Sequence, residues 1–234
     1  MPPLGIDVAW QRPSPDAIRS AGYSFVIGYL STDPTKNLTA QNITAYQAQG
    51  LGILLVWETT ARRVLDGMAA GIADGRAANA QAAALGYPPD VPIFFACDMD
   101  TTALVARPYF RGVTTVRPCS GAYGDIAVVD ALLADGTVRF GWQTSAWSGQ
   151  SVSTAAHLYQ RTKPTLPLQG SFDEDVLLRP IPMFTAPIVT PASNPQPAPA
   201  PLIQGAPDMR VIRNTDNGRC YLAGVGTVQW LETV

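Results

Sequence analysis

Residues 52–57, Gly-Ile-Leu-Leu-Val-Trp, form an apolar run with no polar break, and Glu58 follows at once. A strand with one wet face alternates apolar and polar residues. A run with no alternation is the pattern of a parallel strand covered on both faces. The runs FVIGYL at 25–30 and PIFFAC at 92–97 read the same way. Working outward from these three, strands are expected at residues 4–10, 24–30, 51–58, 91–98, 120–124, 138–143, 157–161 and 170–173.

Helical patterns fill several of the gaps. Asp125 is placed to cap a helix whose apolar residues Ile126, Val129, Leu132 and Leu133 fall at helical spacing, and Gly136 ends it. The alanine-rich stretch 67–85 stops at Gly86, with Pro88 beyond. Strands alternating with helices describe an α/β fold, a compact (β/α)8 TIM-like barrel over residues 1–180. That is short for eight complete units, so some helices are expected to be short or missing.

From 181 to 207 the chain is dense in Pro and Ala and nearly free of charge, the composition of an extended, semi-rigid linker. Residues 208–234 then read as a small all-β module with strands at 209–214, 219–223 and 227–231. So short a module has no room for its own core. It is expected to dock on the barrel, oligomerise, or be completed by a partner such as a virion component.

The totals exclude several function classes. The 234 residues carry a net charge of −2 and are 47% hydrophobic and 15% charged. Nucleic acid and anionic membrane surfaces both call for a basic face, so neither is an expected partner. No apolar run reaches the roughly 18 residues of a membrane span. Met1-Pro2-Pro3 leads into a strand pattern without a basic and then apolar leader, so no signal peptide is expected. One histidine, His157, and three scattered cysteines do not supply the clustered ligands of a zinc hydrolase. No cofactor or metal is expected.

Active sites of such barrels lie at the C-terminal ends of the strands. The expected ends offer Asp7, Tyr29, Glu58, Asp98 with Asp100, Tyr123, Gln143, Gln160 and Asp173. Five carboxylates facing one mouth suit glycoside hydrolysis. One carboxylic acid protonates the leaving oxygen, and another carboxylate serves as nucleophile, base or stabiliser. Crowding raises the pKa of at least one of them and keeps a proton available. Trp142, Trp147, Tyr123 and Tyr159 have flat faces suited to sugar rings.

Each residue also has a plainer reading. A single Asp at a strand end is commonly a cap or turn residue, and Asp175 is assigned to a cap or the surface. Trp142 and Trp147 are assigned to packing ahead of sugar binding. Cys97 is read as a core cysteine and not as a thiol partner of His157.

The segments GIDVAW (5–10), FVIGYL (25–30) with KNLT (36–39), ILLVWE (53–58), ALGYPPDVPIFFACDMD (84–100), GAYGD (121–125), FGWQTSAWSG (140–149), LYQ (158–160) and GSFDEDVLL (170–178) carry a resemblance. In this order they resemble the glycoside-hydrolase-like barrel domain of actinobacterial secreted proteins and their phages, which is similar to the glycoside hydrolase family 25 lysozymes. The resemblance implies roles for Asp7, for the Asp98-Met99-Asp100 triplet in place of an Asp-x-Glu, for Tyr159-Gln160 in place of a Trp-Gln, and for Asp173. The lysozymes' catalytic Glu position is held here by Asp100, one methylene shorter, and Glu58 is the alternative acid.

Two function classes follow. The first is a muramidase-like peptidoglycan hydrolase, a phage lysin or cell-wall-acting enzyme with Asp7, Asp98, Asp100, Glu58 and Asp173 as catalytic groups. Tyr29, Tyr123, Gln143, Tyr159 and Gln160 would bind its substrate. The second is a catalytically impaired barrel that grips cell-wall glycan or belongs to a phage particle. Either way the expected partner is a bacterial cell-wall glycan, reached from the host cytoplasm after release or from the virion.

Overall fold

The computed structural model describes residues 1–185 throughout and, beyond them, three strands at 210–213, 220–224 and 227–230. Most of the expected linker lies outside the described residues. The chain divides into two compact units, Met1–Pro187 and Ile188–Val234.

The first unit is a closed eight-stranded barrel. Its strands are β1 (Leu4–Val8), β2 (Phe25–Leu30), β3 (Gly52–Trp57), β4 (Ile93–Ala96), β5 (Ser120–Gly124), β6 (Phe140–Thr144), β7 (Leu158–Arg161) and β8 (Asp173–Leu177). The helices α1 (Pro15–Ser20), α2 (Ala40–Ala48), α3 (Gly67–Ala84), α4 (Ala103–Val116) and α5 (Ile126–Ala134) lie between the first six strands. No helix separates β6, β7 and β8, which is how an eight-stranded barrel fits this length.

Local chemistry explains the helix boundaries. Ser14 caps α1 through the Ala17 N–H, with Pro15 opening the helix. Thr39 and Asn42 form a reciprocal capping box on α2. Asp125 accepts the Val128 N–H at 2.9 Å, as the sequence pattern expects. The α3–α4 contact depends on absent side chains. A Cβ added at Gly71 would lie 1.9 Å from the Tyr109 carbonyl oxygen, and one at Gly112 2.2 Å from that of Met68.

Register fixes which side chains point inward. Gly5 pairs with Phe25 and Asp7 with Ile27 on the β1–β2 edge, and the same parity continues through Val56, Phe94, Tyr123, Trp142 and Gln160. The lower interior is aromatic and apolar, and glycines make room for it. A Cβ at Gly5 would meet the Phe25 ring at 2.3 Å, and one at Gly121 the Phe94 ring at 2.4 Å. The opposite parity, including Ile6, Val26, Leu55 and Phe95, is buried under the helices.

The last strand corrects the sequence reading. Residues 170–173 were expected as a strand ending at Asp173; instead β8 begins there. It runs antiparallel to both β1 and β7. An antiparallel partner needs only a short return, here 162–172, and no crossover helix. Because β8 is reversed, its first residue stands at the end of the barrel where the parallel strands finish. Asp173 therefore lies opposite Asp7 in register.

Past β8 the backbone stays on the barrel as far as Phe184, which exchanges two 3.0 Å backbone hydrogen bonds with Ile53. In the second unit β9 (Arg210–Arg213), β10 (Cys220–Gly224) and β11 (Thr227–Trp230) form an antiparallel sheet in the order β11-β10-β9.

Candidate functional site

The interior side chains become polar toward the mouth. Asp7 ends the inward row of β1 and is 4% exposed. Its Oδ1 accepts the Tyr29 hydroxyl at 2.9 Å, and its Oδ2 accepts Gln160 Nε2 at 2.7 Å. Gln160 is oriented by the hydroxyls of Tyr123 and Thr144, which donate to its Oε1 at 2.8 and 3.0 Å. With two donors on its oxygen, the amide has to present nitrogen to Asp7. Asp7 is nonetheless pushed up to about 7. Burial is the main cause, and the Asp173 and Glu58 charges add to it against the two hydrogen bonds.

Above this floor lies an open hollow of about 290 Å³ lined by Glu58, Asp98, Asp173, Lys36, Trp10 and Tyr29, with Tyr123, Trp142 and Gln160 at its base. A second hollow, lined by Asp7, Trp10, Tyr29 and Asp173, continues it on the β1–β8 side. Asp98 is half-buried, and its pKa is raised by burial and then by the Glu58 charge, with Lys36 opposing. Burial also raises Asp173. Lys36 Nζ lies 2.8 Å from Glu58 Oε1 and 4.2 Å from the centre of the Tyr29 ring. The loop carrying Lys36 is fixed by Arg12, which donates to the Lys36 and Asn37 carbonyls at 2.6 and 3.1 Å.

One more carboxyl lies deeper. Asp175 was assigned to a cap or the surface. It is instead fully buried inside the barrel, two residues along β8 from Asp173 and in register with Gln160. Trp142 Nε1 donates to its Oδ1 at 2.7 Å, while its Oδ2 has no partner. Burial and then the Asp7 charge hold Asp175 well above the usual carboxyl range. A neutral acid is the form a buried carboxyl with one donor can adopt at tolerable cost.

Of the residues singled out from sequence, Asp7, Glu58, Asp98 and Asp173 converge on the mouth with Tyr29, Tyr123 and Gln160. Three do not join them. Asp100 is exposed and lines neither hollow. β4 ends at Ala96, so the strand parity that would bring Asp100 beside Asp98 does not extend that far. Gln143 is fully buried on the outward side of β6. It accepts the Ser153 N–H at 2.7 Å and donates to the Ser151 carbonyl at 2.8 Å, pinning a loop. Tyr159 alternates with Gln160 and also faces outward, in register with Gln143. The expected β6 end was one residue short, so Trp142 and Thr144 hold the inward positions.

Sequence reasoning missed Lys36, Trp10, Thr144 and Asp175. Asp175 had a usable signal, since it shares Asp173's parity. Lys36 had none, because a loop lysine gives no pattern to read.

Among the described residues, no helix is long and apolar enough to cross a membrane. Residues 16–177 match the family described as Rv2525c-like, glycoside hydrolase-like domain. No curated protein sequence matches the chain. Among solved structures, the Tat-secreted protein Rv2525c of Mycobacterium tuberculosis, in complex with L-tartrate, superposes with a TM-score of 0.71 at 23% identity, over 77% of this chain and 97% of that one. The bacterial lysozyme of Streptomyces coelicolor gives 0.52 at 14% identity, over 76% and 92%. The modular autolysin LytC of Streptococcus pneumoniae gives 0.55 at 11%, over 74% of this chain and 46% of its own. At these identities the likeness is one of fold.

Proposed function

The chain belongs to the Rv2525c-like glycoside hydrolase-like domain family, and we propose that it is a muramidase-like hydrolase of cell-wall peptidoglycan. The observation that carries this reading is the convergence of Asp7, Glu58, Asp98 and Asp173 on one open cleft, with Asp7, Asp98 and Asp173 all raised toward proton retention. The lysozyme and the autolysin, which share the fold, act as context for the substrate class.

In this reading Asp98 is the general acid. It is half-buried, lines the cleft and is raised by the neighbouring Glu58 charge, as a proton donor to a leaving glycosidic oxygen requires. Glu58, ion-paired with Lys36, faces Asp98, and its charge adds to burial in keeping the Asp98 proton in place. Asp7 and Asp173 approach from the β1–β8 wall. There one carboxylate stabilises positive charge developing on the sugar ring or activates water. Tyr29 and Gln160 hold the Asp7 carboxylate in one orientation, and small displacements of such groups cost large factors in rate. Asp100 has no part in this assignment.

The host is an actinobacterium or its phage, and the enzyme acts at the cell wall, as a lysin does. The β9–β11 module serves targeting or assembly, through oligomerisation or docking on a virion. The test is release of new reducing ends from purified actinobacterial cell wall. Wild type and Asp100→Asn release them at similar rates, whereas Asp98→Asn and Asp7→Asn fall by about 10²-fold or more. Wall that stays intact with wild-type protein would sink the reading. Equal activity in Asp98→Asn would sink the assignment of the acid.

A further inference from the structure

Among the described residues two aromatic side chains are exposed, and both are tryptophans: Trp10 at 60% and Trp147 at 47%. Both stand at the mouth of the barrel. Trp10 follows β1 and lines both hollows. Trp147 follows β6, whose inward Trp142 lines the same hollow as Trp10. In the closed barrel β1 and β6 are separated by β7 and β8 on the short side. The hollow thus runs from Trp10 toward the β5–β6 wall; Trp147 stands outside its lining, on the loop that leaves that wall.

The loop is built to hold Trp147 out. Its φ of 55° is the only positive value at a non-glycine position among the described residues. L-residues adopt that conformation only under compulsion from their surroundings, and such positions concentrate at functional sites. Here the compulsion is visible. Buried Gln143 uses both ends of its amide on the Ser151 and Ser153 backbone. The Ser148 hydroxyl donates to the Thr144 carbonyl at 2.6 Å and accepts the Ile126 N–H at 3.0 Å. The Ser153 hydroxyl is hydrogen-bonded to Asp130. A packing tryptophan would be buried by such a scaffold, as Trp142 is. This one is presented to solvent as a rigid apolar face.

We propose that Trp147 is a sugar-stacking platform: a distal subsite that holds a pyranose ring of a glycan chain lying across the carboxylates, with Trp10 as the flanking platform on the other side. The inference rests on the cleft being a glycan site, but it does not require that a bond be cleaved. An indole of this exposure matches the apolar C–H face of a hexopyranose, with Trp10 beside the carboxylates and Trp147 on the loop past the β6 wall.

The test uses peptide-free strands of alternating N-acetylglucosamine and N-acetylmuramic acid, sorted by length, against the full chain. Tryptophan fluorescence and calorimetry read binding in the Asp98→Asn background, so that turnover does not interfere. Affinity rises with strand length in the Trp147-intact protein. Trp147→Ala lowers it about tenfold for long strands and leaves disaccharide binding unchanged. Trp147→Gly accepts the left-handed backbone without strain and shows the same binding loss. Equal affinity of all lengths for Trp147-intact and Trp147→Ala proteins, or no binding at all, overturns the proposal. Length-dependent, Trp147-dependent binding with no release of reducing ends from wall defeats the hydrolase reading and leaves the platform standing.

Discussion

Gln160 Nε2 lies 2.7 Å from Asp7 Oδ2, joining two side chains 153 positions apart at the floor of the cleft. The bond stabilises the charged form of a carboxyl that burial drives the other way. Removing it has two readable effects. In Gln160→Ala the Asp7 midpoint moves above its value of about 7, followed by the carboxyl carbon signal in a pH titration. The hydroxyls of Tyr123 and Thr144 also lose their acceptor, which costs about 1–3 kcal/mol in urea unfolding. An unchanged midpoint would show that the hydrogen bond has no hold on Asp7.

The raised Asp7 makes stability depend on pH in a defined direction. Its folded value, about 7, lies above the ordinary 3.8, so between those limits the folded state binds more protons than the unfolded one. Stability is therefore greatest below pH 4 for this group and is lost as pH rises through 7, by up to about 4 kcal/mol. Asp7→Asn removes that component. Urea unfolding at pH 4, 6 and 8 is expected to show a shallower decline in the variant, together with loss of wall hydrolysis. A variant that declines as steeply as wild type would refute the assignment.

Lys36 faces Glu58 and opposes the rise of Asp98. In Lys36→Met, Asp98 holds its proton to higher pH, and the alkaline limb of the hydrolysis profile moves up. Lys36→Arg restores the wild-type profile. Glu58 is left without its counter-charge in a half-buried position, and the methionine variant loses roughly 1–3 kcal/mol of stability. Identical pH profiles for the three proteins would rule out an electrostatic role for Lys36.

Burial holds Asp175 well above the usual carboxyl range, and asparagine is the nearest neutral copy of its protonated form. Asp175→Asn keeps an acceptor for Trp142 Nε1 and removes a group whose folded pKa is raised. By the same reasoning as for Asp7, the variant gains stability relative to wild type as pH rises above 4, and the gain is absent below it. Differential scanning calorimetry at pH 4 and pH 8 measures this. A destabilised variant at pH 8 would mean that Asp175 is held as an anion.

The barrel was legible because its parallel strands are wetted on neither face, and runs such as GILLVW and PIFFAC carry no competing pattern. The inward row was legible for a similar reason. Side chains alternate along a strand, so Asp7, Tyr29, Glu58, Asp98, Tyr123 and Gln160 could be counted from apolar neighbours. The count failed where a strand limit was misjudged by one residue or more. An extra residue at the end of β6 exchanges Gln143 for Trp142 and Thr144, and an early end to β4 leaves Asp100 outside the cleft. The reversal of β8 left no local trace, since five residues of strand read alike in either direction.

The sequence by itself determined that acidic residues gather at one end of a closed barrel, because hydrophobic periodicity is a local property of the chain. The tertiary structure alone decided what each acid is. Asp98, Asp100, Asp173 and Asp175 are the same side chain, yet one is half-buried beside Glu58, one exposed, one set at the mouth by a reversed strand, and one sealed inside the barrel, where burial pushes its carboxyl up. Those differences arise from desolvation and from charges brought close by strands far apart in sequence, and neither quantity exists before the barrel closes.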